Sequence, residues 1–286
     1  MKLAISNIAW HVEQDLAVAE IMRRYGAEGV EIAPTKVWPS PVTVTDQEVQ
    51  DYRAFWADQG ISVVAMQALL FGRPELTIFG DRAKRSETLR YLRKMIELGC
   101  KLGARVLVFG SPANRKAGDL PAADVERIAV EFFAQLGRVA HSHGLTFCIE
   151  PNPVVYGCDF ITDSPAGLAL VDQVDQPGFG LHLDAAGMTL SGEDIPVALD
   201  RAGSRIRHFH ISEPDLAPIG SGGVDHATVA AALHTTDYDR WVSIEMRAPE
   251  PEAALAQVAS ALDTARQHYF RQVGEPDHPV NRAPRK

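Results

Sequence analysis

The chain has 286 residues, a formal charge of −9 and a pI near 5.6. It carries no Lys/Arg stripe and no apolar run of bilayer length, which excludes a surface built for nucleic acid or anionic lipid and a membrane-spanning helix. Its three cysteines, Cys100, Cys148 and Cys158, are odd in number and lack CxxC spacing, so they read as packing residues and not as a disulfide framework or structural zinc site.

The opening MKLAISNIAW passes directly into a strand-like run without the charged and apolar regions of a secretory signal, so a soluble cytoplasmic protein is expected. From there short apolar runs alternate with longer segments of helical period. Strands are predicted near 2–6, 28–33, 61–68, 104–110, 145–150, 178–184, 205–211 and 240–246. Helices are predicted near 13–25, 46–59, 81–102, 121–143, 164–174, 192–202, 225–234 and 250–269. Asp46 suits a helix start, Pro121 a first helical turn, and Gly60 and Gly144 helix stops. Eight regular βα repeats specify an α/β protein with a parallel sheet, a (β/α)8 TIM barrel in a single domain over 1–270. Residues 271–286 are rich in Pro and charge and read as a flexible C-terminal tail.

Active sites of such barrels lie at the C-terminal ends of the strands. Four successive strand ends, in TFCIE, FGLHLD, IRHFH and WVSIE, carry Glu150, Asp184, His210 and Glu245. Side chains alternate faces along a strand, so these four can turn inward together and form half a ring of oxygen and nitrogen donors. Three carboxylates and one imidazole, with no thiolate, suit one fairly hard divalent ion: Mn²⁺, Mg²⁺ or Co²⁺, with Zn²⁺ as an alternative. Glu150 and Glu245 can also flank a bound substrate as general acid and base.

Other residues are weaker candidates. Trp38 and Phe71 lie on long loops after the second and third strands, where they wall a substrate or merely pack the loops. Arg115 and Arg247 could clamp an anionic or polyhydroxy substrate, with surface ion pairing as the alternative. His182 and His208 lie two residues below Asp184 and His210, either as core histidines or as supports for the ligands and substrate. The glycines of GSGGVDH, Gly220 to His226, resemble a phosphate cradle, although a turn leading to Asp225 as a helix cap explains them equally well.

The segments IEPNP, LHLDAAG, HFHISEPD, GSGGVD and SIEM, with GAEGVEIAP around Glu31, resemble the xylose isomerase-like TIM-barrel superfamily, in the style of its ketose 3-epimerases and sugar isomerases. That resemblance implies a divalent metal, often manganese, on Glu150, Asp184, His210 and Glu245. Glu150 and Glu245 would move a proton beside a metal-bound carbonyl through an enediolate. A small carbohydrate is the implied substrate and a homodimer a common assembly. The chain departs from the epimerase pattern where a histidine and an arginine are usual, with Gly187 and Leu216 in their places. A metal-dependent dehydratase or lyase acting on a keto-sugar or inosose begins with the same deprotonation and is the alternative. An endonuclease IV-like phosphodiesterase ranks behind both, because MQALLFG, VFGSPAN and DAAGM lack the extra histidines that its three zinc ions need.

Overall fold

In a computed structural model, residues 1–270 are described; the expected tail at 271–286 lies outside the described residues. Strands β1 (Lys2–Ser6), β2 (Gly29–Ile32), β3 (Ser62–Met66), β4 (Val106–Phe109), β5 (Thr146–Ile149), β6 (Phe179–Asp184), β7 (Ile206–Ser212) and β8 (Trp241–Glu245) form a closed parallel barrel in sequence order. The helices between them are α1 (Asp15–Arg24), α2 (Pro34–Val37), α3 (Asp46–Asp58), α4 (Arg82–Leu102), α5 (Ala122–Ser142), α6 (Ser164–Val174), α7 (Ala185–Leu190), α8 (Ile195–Ala202), α9 (His226–Thr235) and α10 (Pro251–Ala265). Among the described residues no helix is long and apolar enough to cross a membrane.

Alternation along the strands divides the interior in two. Leu3 and Ile5, Leu107 and Phe109, Leu181 and Leu183, and Val242 and Ile244 belong to the main core with the helices. The intervening positions turn into the barrel, where Ala4, Val64, Val106, Val108 and Cys148 form a small apolar cluster. Each fully buried Leu, Ile or Phe of the outer layer contributes about 1.5–3 kcal/mol. This layer provides the stiffness against which the inward side chains are held.

Local chemistry sets the helix ends. Helix α3 starts at Asp46 as expected, and Thr45 caps it: its hydroxyl accepts the Glu48 N–H while the Glu48 carboxylate accepts the Thr45 N–H at 2.9 Å. Gly60 and Gly144 follow α3 and α5 with φ of 74° and 70°, as helix stops require. Between β6 and the helix expected near 192–202 stands a further six-residue helix, α7, capped by Asp184 itself.

Register matters most at β6 and β7. A one-residue shift between Leu181 and His182 places His182 opposite His208 and Asp184 opposite His210. On the far side of β7, His210 pairs with Ser243 and Ser212 with Glu245. The irregularity thereby aligns the acidic and imidazole ends of three adjacent strands.

Candidate metal centre

His210 is the hub. Its ring is fully buried, with Nε2 2.9 Å from Glu31 Oε2 and Nδ1 3.4 Å from Glu245 Oε2 and 3.9 Å from Asp184 Oδ2. Asp184 is fixed from two sides: Oδ1 accepts the Gly187 N–H at 2.6 Å, and Oδ2 accepts the Ser212 hydroxyl. Glu150 follows β5 directly, with its backbone N–H still donating to Phe109 O at 3.1 Å. A Cβ at position 110 would collide with the Glu150 carboxylate, so Gly110 is what lets the acid lie across the end of β4.

The four residues named as ligands from the sequence fall into two overlapping groups of donor atoms. Donor atoms of Asp184, His210 and Glu245 lie within 4.8 Å of one another, and so do those of Glu150, His182 and His210. His210 Nδ1 is buried and has no hydrogen-bond partner. An unsatisfied imidazole nitrogen facing two carboxylate oxygens suits a hard divalent cation, which takes oxygen and nitrogen donors and offsets their crowded charge.

The electrostatics favour the same conclusion. Burial first, then the negative charge of Glu245, pushes Glu150 up to about 8 and Asp184 up to about 6. For Glu31 burial acts in the same sense, but His210 and His208 outweigh it and hold the carboxyl well below the usual range. Burial opposes a charge on His210, yet Glu31 and Glu245 prevail and raise it well above an ordinary imidazole. His182 is held well below by burial, then by His210 and His208, and so is neutral.

These residues open into a cavity of about 440 Å³, whose wall includes Glu150, Asp184 and Glu245 together with Phe71 and Arg247. Three of the weaker candidates fall elsewhere. Trp38 packs edge-on against Tyr52 at 5.3 Å and does not reach the cavity wall. Arg115 is fully buried, with no hydrogen-bond partner on any guanidinium nitrogen, and is shut off from the cavity. His182 is also sealed beneath the mouth, with Nε2 3.8 Å from Glu150 Oε1 and its ring 4.1 Å from that of His210.

The glycine loop is no phosphate cradle. Its Gly220, Gly222 and Gly223 N–H groups point at the buried Glu213 carboxylate, at 3.1, 3.3 and 2.8 Å, and His226 Nε2 stands 3.2 Å from the same group. An internal anion fills the nest. The cap does form, with Asp225 accepting the Thr228 N–H at 3.0 Å.

Sequence reasoning missed the parts played by Glu31, Ser212 and Glu213. Glu31 left one signal: a single charge in the otherwise apolar GVEI of a strand buried along its whole length. A carboxylate there must have a partner inside the barrel. Ser212 and Glu213 left none, since their partners are fixed only by the closure of the sheet.

An L-ribulose 3-epimerase of Methylomonas sp. is 27% identical to the chain over 225 residues, 78% of this chain and 74% of that protein. A probable ketose 3-epimerase of Synechocystis sp. is 26% identical over 252 residues, 86% of this chain and 84% of that one. The crystal structure of a D-psicose 3-epimerase from Clostridium cellulolyticum, at 19% identity, matches with a TM-score of 0.79 over 94% of this chain and 99% of that chain, a likeness of fold. The profile of the xylose isomerase-like TIM barrel family matches residues 19–266, and the chain belongs to that family.

Proposed function

We propose that the chain is a metal-dependent sugar epimerase or isomerase that moves a proton at a carbon next to a carbonyl. The observation that carries this reading is the Asp184–His210–Glu245 group, with the buried Asp184 carboxyl at raised pKa beside an unsatisfied imidazole nitrogen. The relatives of known name that share most of its length, an L-ribulose 3-epimerase and a probable ketose 3-epimerase, support it.

Asp184, His210 and Glu245, with Glu150 beside them, would hold the ion, for which we propose Mn²⁺ on the strength of the hard donor set. When bound, the ion supplies Lewis acidity toward a substrate carbonyl. Glu150 reaches the cavity from the end of β5 and Glu245 from β8, with β6 and β7 between them. A substrate lying over Asp184 and His210 therefore has one glutamate at each flank. One carboxylate removes the proton and the other, already protonated, returns one. Return to the opposite face of the same carbon gives the epimer, and return to the neighbouring carbon gives the isomer. Glu31 keeps the His210 ring in place, and the Gly187 N–H and Ser212 hydroxyl keep Asp184 from turning away.

A dehydratase or lyase acting on a keto-sugar or inosose is a second reading. It is favoured by Gly187, whose N–H serves Asp184 at a position where ketose epimerases usually carry a histidine. Both readings are tested by incubating the ion-loaded enzyme in D₂O with ketoses, inososes and 3-keto-glycosides. Deuterium is expected at a carbon next to the carbonyl, and an epimer, an isomer or an eliminated product then distinguishes the reactions. No exchange into any of them overturns the proton-transfer reading.

A further inference from the structure

The cavity wall changes character with depth. At the bottom Gln67, Asp184 and Ser212 are buried and polar. Toward the mouth stand Phe71, 70% exposed, and Tyr156, 37% exposed, flanked by the exposed Val154 and Val155. Other aromatics on these loops are paired, Trp38 on Tyr52 and Phe79 on Phe160 with ring centroids 4.8 Å apart, but Phe71 turns its ring to solvent. Exposed apolar surface rimmed by polar groups and continuous with a catalytic cavity marks a place for ligand.

This outer wall is built rigidly. The Tyr156 hydroxyl is already engaged, accepting the Asp215 N–H at 3.0 Å, so the ring face is what remains for a ligand. Asp215 and Leu216 both sit in the left-handed region, with φ of 59° and 58°, and Leu216 O accepts the Arg247 N–H at 2.8 Å. Two consecutive residues with side chains in that region carry a conformational cost, and a wall that retains it is one whose shape matters. Arg247 is the only cation among the described residues of the cavity wall and joins no ion pair there.

Aromatic faces beside an arginine and an aspartate match the chemistry of a sugar ring, with its apolar C–H face and its rim of hydroxyl donors and acceptors. We infer that the outer half of the cavity, formed by Phe71, Tyr156, Asp215, Leu216 and Arg247, is a second sugar subsite. The substrate is then a keto-sugar joined through a glycosidic bond to another ring, and not a free ketose. A free ketose held at the inner acids leaves Phe71 in water, whereas a second ring covers it. This inference rests on the proposed proton transfer at the inner site.

The test uses 3-keto-maltose and 3-keto-cellobiose against methyl 3-keto-glucoside and D-psicose, with ion-loaded wild type and Phe71→Ala. Saturation-transfer NMR is expected to label the second-ring protons of at least one disaccharide in wild type and to lose that label in Phe71→Ala. The kcat/KM for solvent deuterium exchange is expected to favour that disaccharide over the methyl glycoside by about three- to tenfold, the range of one ring-stacking contact, and the ratio falls toward one in the variant. Equal kcat/KM for disaccharide and methyl glycoside, with an unlabelled second ring, overturns the subsite and leaves the proton-transfer reading intact. Exchange absent from every compound while the second ring is still labelled sinks the proton transfer and keeps the subsite. A dimer that dissociates in Phe71→Ala also overturns it, because a second copy would then cover the ring.

Discussion

Two carboxylate clusters lie one above the other in this barrel, and they have opposite electrostatics. The lower pairs Glu31 with His208 and His210 at 3.3 and 2.9 Å, and its carboxyl is held well below the usual range because the imidazoles outweigh burial. The upper gathers Glu150, Asp184 and Glu245 with the remaining nitrogen of His210, and burial plus mutual repulsion push Glu150 and Asp184 up. The lower cluster is self-neutralised and structural. The upper crowds three carboxylates around one imidazole nitrogen, and the divalent cation proposed there would offset their charge. His210 belongs to both, one ring nitrogen to each, so the lower cluster aims the donor of the upper.

The comparison can be broken most severely from above. Glu245→Gln and Glu150→Gln each keep the shape of the side chain and remove the base, and exchange of solvent deuterium into substrate is expected to fall by about 10²–10⁴-fold. Loss of less than tenfold in both would separate the upper acids from the chemistry. Breaking it from below is the next largest effect. Glu31→Gln removes the carboxylate that holds His210 and is expected to weaken metal affinity by about 10–100-fold in a metal titration. The same variant is expected to lower stability by about 3–5 kcal/mol, since it leaves the buried His210 imidazole without its counter-charge. Unchanged metal affinity would mean that the two clusters are independent.

A pH series sharpens the contrast. The folded pKa of Glu150, about 8, lies above its ordinary value of 4.5, and that of Asp184, about 6, lies above 3.8. Such groups favour folding fully below their ordinary values and lose that contribution as pH rises through the folded ones. Urea unfolding of the metal-free protein should therefore show stability falling by a few kcal/mol between about pH 4.5 and 8. Saturating divalent ion should flatten the decline, and metal affinity should itself rise with pH because protons compete for the same donors. A metal-free protein that gains stability over that window contradicts the upper cluster as described. The smallest effect is that of Ser212→Ala, which removes one hydrogen bond to Asp184 and is expected to cost about 1.5–3 kcal/mol, read as a loss of stability or of metal affinity.

The barrel was legible because the strands are short and mostly apolar, and because the outer layer obeys a period of two without exception at β4, β6 and β8. The helix α7 was hidden for a local reason. Asp184 reads as a strand end and a ligand, and only the 2.6 Å contact to the Gly187 N–H reveals that it also starts a helix. The candidate ligands Glu150, Asp184, His210 and Glu245 were legible from their strand-end positions. Their support was not, since the partner of His210 lies 179 residues away on β2 and becomes a neighbour only when the barrel closes. The glycines 220, 222 and 223 carry the chemistry of an anion nest in sequence, and no local rule distinguishes a phosphate from the side chain of Glu213 as its occupant.

The central claim is that the upper cluster holds a divalent cation through His210. The most direct measurement is the metal content of purified protein by mass spectrometry, for wild type and for His210→Asn after equal exposure to Mn²⁺. About one divalent ion per chain is expected in wild type and almost none in the variant, because His210 Nδ1 is the nitrogen that faces the carboxylates of both Asp184 and Glu245. Equal occupancy in the two proteins, or three zinc ions per chain in wild type, would contradict it.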